Sequence, residues 1–320
     1  MWENFVFSVN VSLPLFILLF VGLILKKKNV FSDSFIASAN TLIFNVALPA
    51  KLVLDTAQTD FTQNFDPVFL LLLLGGTTVF FVFYWVVGHA AIREPAKVGA
   101  FVHGAFRGNY VYIGYPLIQN ILQVSGLPAE AMLASAFILP YYNVLAVIVL
   151  TVTNHPGEKI NLGNVLKQII KNPMIIGMLI GLPFSFLSVY TGFTLPGVIT
   201  KPLSYLGQLV TPLALLVIGA SVKWESVMAN KKPVFWACFL RLVVQPLVMV
   251  PLAIACGLAT EAVIVLYVVF AVPAAANVYI VTQKMGGDAD LASGIVVLGI
   301  IFSILTITVG VLLLKTFGVV

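Results

Sequence analysis

The chain has 320 residues, 60% of them hydrophobic and only 9% charged, with a mean hydropathy of +1.07. Soluble domains carry roughly 25% charged residues, so this composition is that of an integral membrane protein. The net charge of +5 is scattered singly or in threes between apolar runs. That excludes a nucleic-acid-binding face and leaves the charges to report topology.

A window of about 20 apolar residues per crossing places ten spans, at 5–25, 33–54, 67–91, 97–123, 129–152, 166–189, 198–222, 233–257, 261–284 and 289–315. The first is expected to be uncleaved: Glu3 precedes it, Lys26, Lys27 and Lys28 follow it, and no small-residue cleavage pattern interrupts it. In span two, "NVALPAKLVLD" sets Lys51 two residues after Pro49 and four before Asp55, the spacing of an ion pair on one helix face. Asp66 and Pro67 open span three.

Span four holds His103, Arg107 and then "NYVYIGYPLIQN", with Asn109, Gly114, Tyr115, Pro116 and Asn120. Proline removes a backbone donor and clashes with the preceding turn, and glycine tolerates angles a helix does not use. A break at Gly114–Pro116 is therefore expected. Span five carries Asn143. Span eight carries Arg241 and both cysteines, Cys238 and Cys256, which at about 1.5 Å per residue stand roughly 27 Å apart and cannot bridge. Span nine breaks at Pro273, followed by Ala274 and Asn277.

Sorting the basic residues over alternate loops collects Lys26–Lys28, Arg93, Lys97, Lys159, Lys167, Lys171, Lys223, Lys231, Lys232 and Lys284 on one side. The positive-inside rule makes that side cytoplasmic and puts both termini outside, in a multi-pass protein of the cell membrane. The halves also repeat. "AEAMLASAF" at 129–137 resembles "GDADLASGI" at 287–295, and Pro116 with Asn120 matches Pro273 with Asn277 as P-x-x-x-N. Pro49 and Pro67 likewise find counterparts in Pro212 and Pro233. Five spans per repeat is an odd number, so the second copy inserts upside down, the arrangement in which transporters place broken helices at the midplane. The expected fold is an all-α integral membrane protein of ten helices. Residues 1–152 form the first five-helix repeat, 153–165 a short cytoplasmic linker and 166–320 the inverted second repeat, with broken helices four and nine crossing.

Freed helix amino-ends attract anions, and freed carbonyls attract cations. Each peptide group exposed by a break in hydrocarbon is costly unless protein, ion or substrate satisfies it. The expected substrate contacts are thus Asn109, Gly114, Tyr115, Pro116, Asn120, Asn143, Pro273, Ala274 and Asn277. An asparagine amide donates to a carboxylate, or else bonds a neighbouring helix. Lys51, Asp66, His103, Arg107 and Arg241 are candidates for an anion-binding or coupling role. For the two arginines, snorkelling or pairing with helix C-terminal carbonyls is the preferred reading. For Lys51 it is the Asp55 pair, and for His103 a hydrogen-bonded structural role. The three histidines do not cluster with acids or cysteines, and no Walker loop, hydrolase triad or paired carboxylates appear, which disfavours a metal site, ATP drive and an enzyme.

At these residues the chain resembles the auxin efflux carrier family, including its short bacterial malate or malonate permeases. "GNYVYIGYPL" is similar to the family's fourth span, "KNPMIIGMLIGL" to the start of its sixth, and "AVPAAANVYIVTQKMGGDADLASGIVVLG" to its ninth and tenth. The resemblance covers nearly the whole length. It implies a scaffold of spans 1, 2, 6 and 7, a mobile transport unit of spans 3–5 and 8–10, a homodimer within membrane lipid, and elevator-like alternating access. It also implies that Asn109 and the breaks at Pro116 and Pro273 form the substrate site. Plant carriers have a long hydrophilic loop where only residues 153–165 stand here. Asp66 matches an acidic position, yet Leu70 replaces the basic residue expected one turn on.

The reading that follows is a secondary carrier of a small organic anion, a mono- or dicarboxylate, without a cofactor but coupled to protons or sodium or working as a uniporter. A sodium-coupled symporter of the bile-acid type is the alternative within transport, and a membrane sensor the alternative of another class.

Overall fold

The computed structural model describes residues 2–60, 66–154, 163, 167, 170–222 and 224–320. Its helices are α1 (Trp2–Lys27), α2 (Asp33–Leu42), α3 (Leu48–Gln58), α4 (Pro67–Ala91), α5 (Pro95–Phe106), α6 (Tyr115–Leu122), α7 (Ala129–Asn154), α8 (Pro173–Thr191), α9 (Gly197–Ala220), α10 (Trp224–Ala229), α11 (Lys231–Phe239), α12 (Gln245–Ala255), α13 (Thr260–Ala271), α14 (Asn277–Lys284) and α15 (Ala289–Thr316). Among the described residues there is no strand, and eight helices, counting α2–α3 and α11–α12 as continuous, are long and apolar enough to cross a membrane. These eight match the expected spans one, two, three, five, six, seven, eight and ten within a few residues, apart from the start of span six. Spans four and nine are each divided in two. The short α10 was not expected, and the linker at 153–165, with the first residues of span six, lies almost wholly outside the described residues.

Three π turns, Ile43–Ala47, Tyr110–Gly114 and Leu240–Val244, share one cause. Each runs directly into a helix whose second residue is proline: Pro49, Pro116 and Pro246. A proline inside a helix lacks the N–H and its ring pushes against the carbonyl four residues back. Widening the preceding turn relieves that clash and re-satisfies the backbone through i to i−5 bonds, as in Leu48 N–H to the Ile43 carbonyl, Tyr115 N–H to Tyr110 and Gln245 N–H to Leu240. The helix continues through the proline.

Two helix pairs approach through glycine. A side chain at Gly22 of α1 would overlap the Leu216 carbonyl of α9, and one at Gly219 would overlap that of Leu19. On α8, Gly177 and Gly181 set the G-x-x-x-G spacing; an added Cβ would lie 2.8 Å from the Pro49 carbonyl oxygen and 2.6 Å from that of Val53, both on α3. Lipid is as apolar as leucine, so membrane helices associate by close packing, and small residues permit it. These seams, with the contact of α3 on α9, join α1, α2–α3, α8 and α9 into one unit.

The second unit gathers α4, α5, α7 and α10–α15 around the interrupted helices. Within it α4 packs on α5 and α7, α12 on α13, and α15 on α5, α10, α11 and α14. The centre of this unit is α13, whose residues Ala262 to Ala271 are all buried. Between the units, Ser12 of α1 shares a 2.7 Å hydrogen bond with Thr308 of α15, and Asn120 Nδ2 of α6 donates to the Val11 carbonyl at 2.9 Å.

Candidate substrate site at a backbone crossing

Helix α5 ends at Phe106 and α13 at Ala271, each after 12 residues. The chain then leaves the helical path through Arg107–Asn109 and Val272–Ala276, and the two segments meet antiparallel with Gly108 opposite Ala274. Asn109 N–H donates to the Pro273 carbonyl at 2.8 Å, and Ala275 N–H to the Arg107 carbonyl at 3.3 Å. The two breaks thus satisfy one another's peptide groups, which in hydrocarbon would otherwise be orphaned. Proline explains the break in span nine: Val272, before Pro273, adopts the extended φ −72°, ψ 147° that a following proline favours.

In span four the expected position is corrected. Gly114 and Pro116 do not break the helix, because the π turn absorbs Pro116. The break lies instead at Arg107–Asn109. Gly108 is essential there, since any side chain would overlap Nη2 of Arg241 and approach Cγ2 of Val272 at 3.1 Å. Pro116 and Pro273 thus differ in setting: Pro273 stands in a break, Pro116 inside a helical run.

Arg241 explains how the crossing tolerates two helix C-termini. Its side chain is fully buried. Nε donates to the Val272 carbonyl at 2.7 Å, Nη1 to those of Ala105 and Phe106 at 3.1 and 2.7 Å, and Nη2 to that of Val269 at 3.1 Å, with Gln245 Oε1 3.5 Å from Nη1. One guanidinium thereby caps α5 and α13 together. Each helix end carries about −0.5 elementary charge, so two ends offset about one cation. The π turn at Leu240–Val244 carries Arg241. Its donors are taken up by helix carbonyls, the partners expected for it.

Arg107 is different. It is 8% exposed; Nη2 donates to Asn143 Oδ1 at 2.9 Å, while Nη1 is buried without a hydrogen-bond partner. No acid forms an ion pair with it among the described residues. Asn109, 5% exposed, accepts from Tyr112 N–H through Oδ1 at 3.3 Å, capping the next helical turn, and its Nδ2 is likewise buried and unpartnered. Both residues stand at the start of the Tyr110–Leu122 helical run, whose first N–H groups have no intrahelical acceptors and whose positive end faces the break. A cation at membrane depth costs about 2.5 to 3.5 kcal/mol on insertion scales, and leaving buried donors unmatched adds to that. The crossing therefore presents unspent positive charge and amide donors, the complement of a carboxylate.

The other expected residues divide. Asn143 and Ala274 belong to the crossing, as partner of Arg107 and as backbone partner of Gly108. Asn277 opens α14 and is exposed. Gly114 packs closely, a Cβ there lying 3.1 Å from Val268 Cγ1 of α13, and the buried Tyr115 hydroxyl is bonded to Ser135. Asn120 ties α6 to α1, as described. His103 Nδ1 pairs with Thr282 Oγ1 at 2.9 Å, leaving Nε2 buried and unpartnered. Asp66 caps α4, accepting from the N–H groups of Val68 and Phe69 at 2.7 and 3.3 Å. Lys51 forms the expected pair with Asp55 at 3.0 Å, so a carboxylate does stand within span two, its side chain 10% exposed. Among the described residues no His/Cys/Asp/Glu cluster could hold a metal ion, and both cysteines are free. Gly108 was missed, although Gly108–Asn109 is itself a turn signal, here outweighed by the more conspicuous G-x-P that follows.

Comparison with known proteins fits this architecture. A family model described as membrane transport protein matches residues 7–311. Among similar proteins, one from Rhizobium meliloti (strain 1021) named "Putative malonate transporter" is 27% identical over 303 residues, 92% of each chain. An "Uncharacterized transporter" of Methanothermobacter thermautotrophicus is 22% identical over 245 residues, 76% of this chain and 77% of that one. With its family model spanning nearly the whole length, and two interrupted helices meeting at its centre, the chain belongs to the membrane transport protein family, that of the auxin efflux carriers, and is a transporter and not an enzyme.

Proposed function

We propose that the protein carries a small organic anion, a mono- or dicarboxylate of the malonate class, across the membrane by alternating access. The observation that carries this reading is the pair of buried, unpartnered donors at the crossing, Arg107 Nη1 and Asn109 Nδ2, in a place with no acidic partner. A bound carboxylate satisfies both, as well as the N–H groups that begin the following helical run. The name of the Rhizobium relative points to the same substrate class.

In this reading the chain is two inverted five-helix repeats. The glycine-seamed unit of α1, α2–α3, α8 and α9 stays fixed as the scaffold, and the unit holding the crossing moves against it as an elevator, with the second copy of a homodimer steadying the scaffold. A rigid crossing favours such motion, because a site held by Arg241 and two backbone bonds travels as a body.

The test is uptake of a labelled carboxylate panel into proteoliposomes, with and without sodium and a pH gradient. Flux of at least one carboxylate is expected, and none for any of them overturns the reading. Arg107→Gln should weaken substrate binding by about 1 to 3 kcal/mol, roughly 5- to 150-fold, with Asn109→Ala at the lower end, while thermal stability stays near the parent's. Binding like the parent's in both variants would place the substrate elsewhere. A strict sodium requirement would favour the bile-acid-type symporter.

A further inference from the structure

A polar cavity stands away from the crossing. It has a volume of about 590 Å³ and lies between α3, α9 and the end of α6, lined by Lys51 and Asp55, by Lys201 and Ser204, and by Gln119 and Ser125 among others. Among the described residues no aromatic ring lines it. Gln119 is ten residues beyond Asn109, about 15 Å farther along the same helical run, so the two sites are separate. Lys51 is paired with Asp55, whereas Lys201 has no ion-pair partner among the described residues. Two ammonium groups against one carboxylate leave a net charge of +1 facing the cleft. Thr200 and Lys201 lie about one turn from the start of α9, whose positive helix end adds to that field. The walls come from both units, α3 and α9 from the glycine-seamed one and the end of α6 from the one that holds the crossing.

We propose that this cleft is a vestibular anion site that takes a free small carboxylate before it reaches the crossing. Lys201 holds the charge of the incoming group, and Lys51 turns to it from Asp55, whose carboxylate occupies Lys51 when the cleft is empty. Glutamine, serine and threonine side chains supply donors, and this polar described lining suits compact hydrophilic anions. Recognition at two places fits a field that concentrates a charged substrate in a cleft and passes it inward. The choice of occupant rests on the anion-transport reading; the positive cleft itself does not.

The test uses the full-length protein in neutral phosphatidylcholine liposomes, with Cys256→Ser as background because Cys238 is buried. Ser204→Cys then reports from the cleft wall through its rates of reaction with anionic and cationic methanethiosulfonates. The anionic reagent should be favoured, Lys201→Gln should cut that preference by about tenfold because lost charge acts oppositely on the two reagents, and Lys51→Gln should cut it less. Millimolar malonate should slow labelling, and less so in Lys201→Gln. Indifference of the preference to both lysines, or no protection by malonate, overturns the proposal. Protection by anionic lipid but not by malonate overturns it in favour of a headgroup site. Protection that persists while no carboxylate is transported leaves the cleft standing and removes only the transport reading; carboxylate flux that depends on Arg107, with no protection, does the reverse.

Discussion

Where α1 meets α9, two backbones touch through Gly22 and Gly219, both helices run unbroken, and the contact is between a glycine and a carbonyl already bonded in its own helix. Where α5 meets α13, two backbones also touch through a glycine, Gly108 opposite Ala274, but both helices have ended, and the contact is made of exchanged hydrogen bonds. Close approach in a membrane can thus serve two ends. The first gains packing and leaves nothing unsatisfied. The second leaves two helix C-termini, closed by Arg241, and beside them the free donors of Arg107 and Asn109. The seam satisfies every group it brings together, and the crossing leaves two buried donors without partners.

The sharpest way to break this contrast is Arg241→Met. It leaves the carbonyls of Ala105, Phe106, Val269 and Val272 without their donor in a buried place, and should cost about 3 to 5 kcal/mol, the scale of removing one partner from a buried charge network. Detergent-solubilised protein should lose its thermal transition or show it far below the parent's, and Arg241→Lys, restoring charge without the forked donors, should recover only part. A transition within a degree or two of the parent's for Arg241→Met would show that the crossing does not need its cap.

Gly219→Ala attacks the seam. The methyl overlaps the Leu19 backbone, which cannot swing aside, so α1 and α9 must separate at about 1 to 3 kcal/mol. The expected signature is loss of stability with substrate affinity unchanged in the protein that remains folded. That is opposite to Arg107→Gln, which loses affinity and keeps stability. Should Gly219→Ala weaken binding as much as Arg107→Gln does, the two regions are not separable in the way described.

Pro116→Ala should do least. Because the break lies at Arg107–Asn109 and is held by Pro273 and Arg241, restoring an N–H at position 116 only removes the reason for the π turn. The change should be below about 1 kcal/mol, with transport retained. Abolished transport in a stable Pro116→Ala protein would return the functional break to the G-x-P motif.

Hydropathy and charge alone drew the span boundaries, since a segment of about 20 apolar residues has few alternatives to a membrane helix. Eight spans required nothing more. Proline marked disturbances in helices but not their kind: Pro273 ends a helix, while Pro49, Pro116 and Pro246 only widen one, and the same residue in the same composition yields either result according to whether neighbouring segments can take up the freed peptide groups. For Pro273 the partner is the Arg107–Asn109 segment, more than 160 residues away in sequence. The site divided in the same way. Asn109 was visible as an amide near a break and the Lys51–Asp55 pair as a spacing of four, because both rest on local periodicity. The two arginines looked alike in sequence, each a lone cation inside an apolar span. Only tertiary structure distinguished them, by bringing two helix C-termini to Arg241 and, among the described residues, no acid to Arg107, because the energy of a buried charge is set by what the fold places around it.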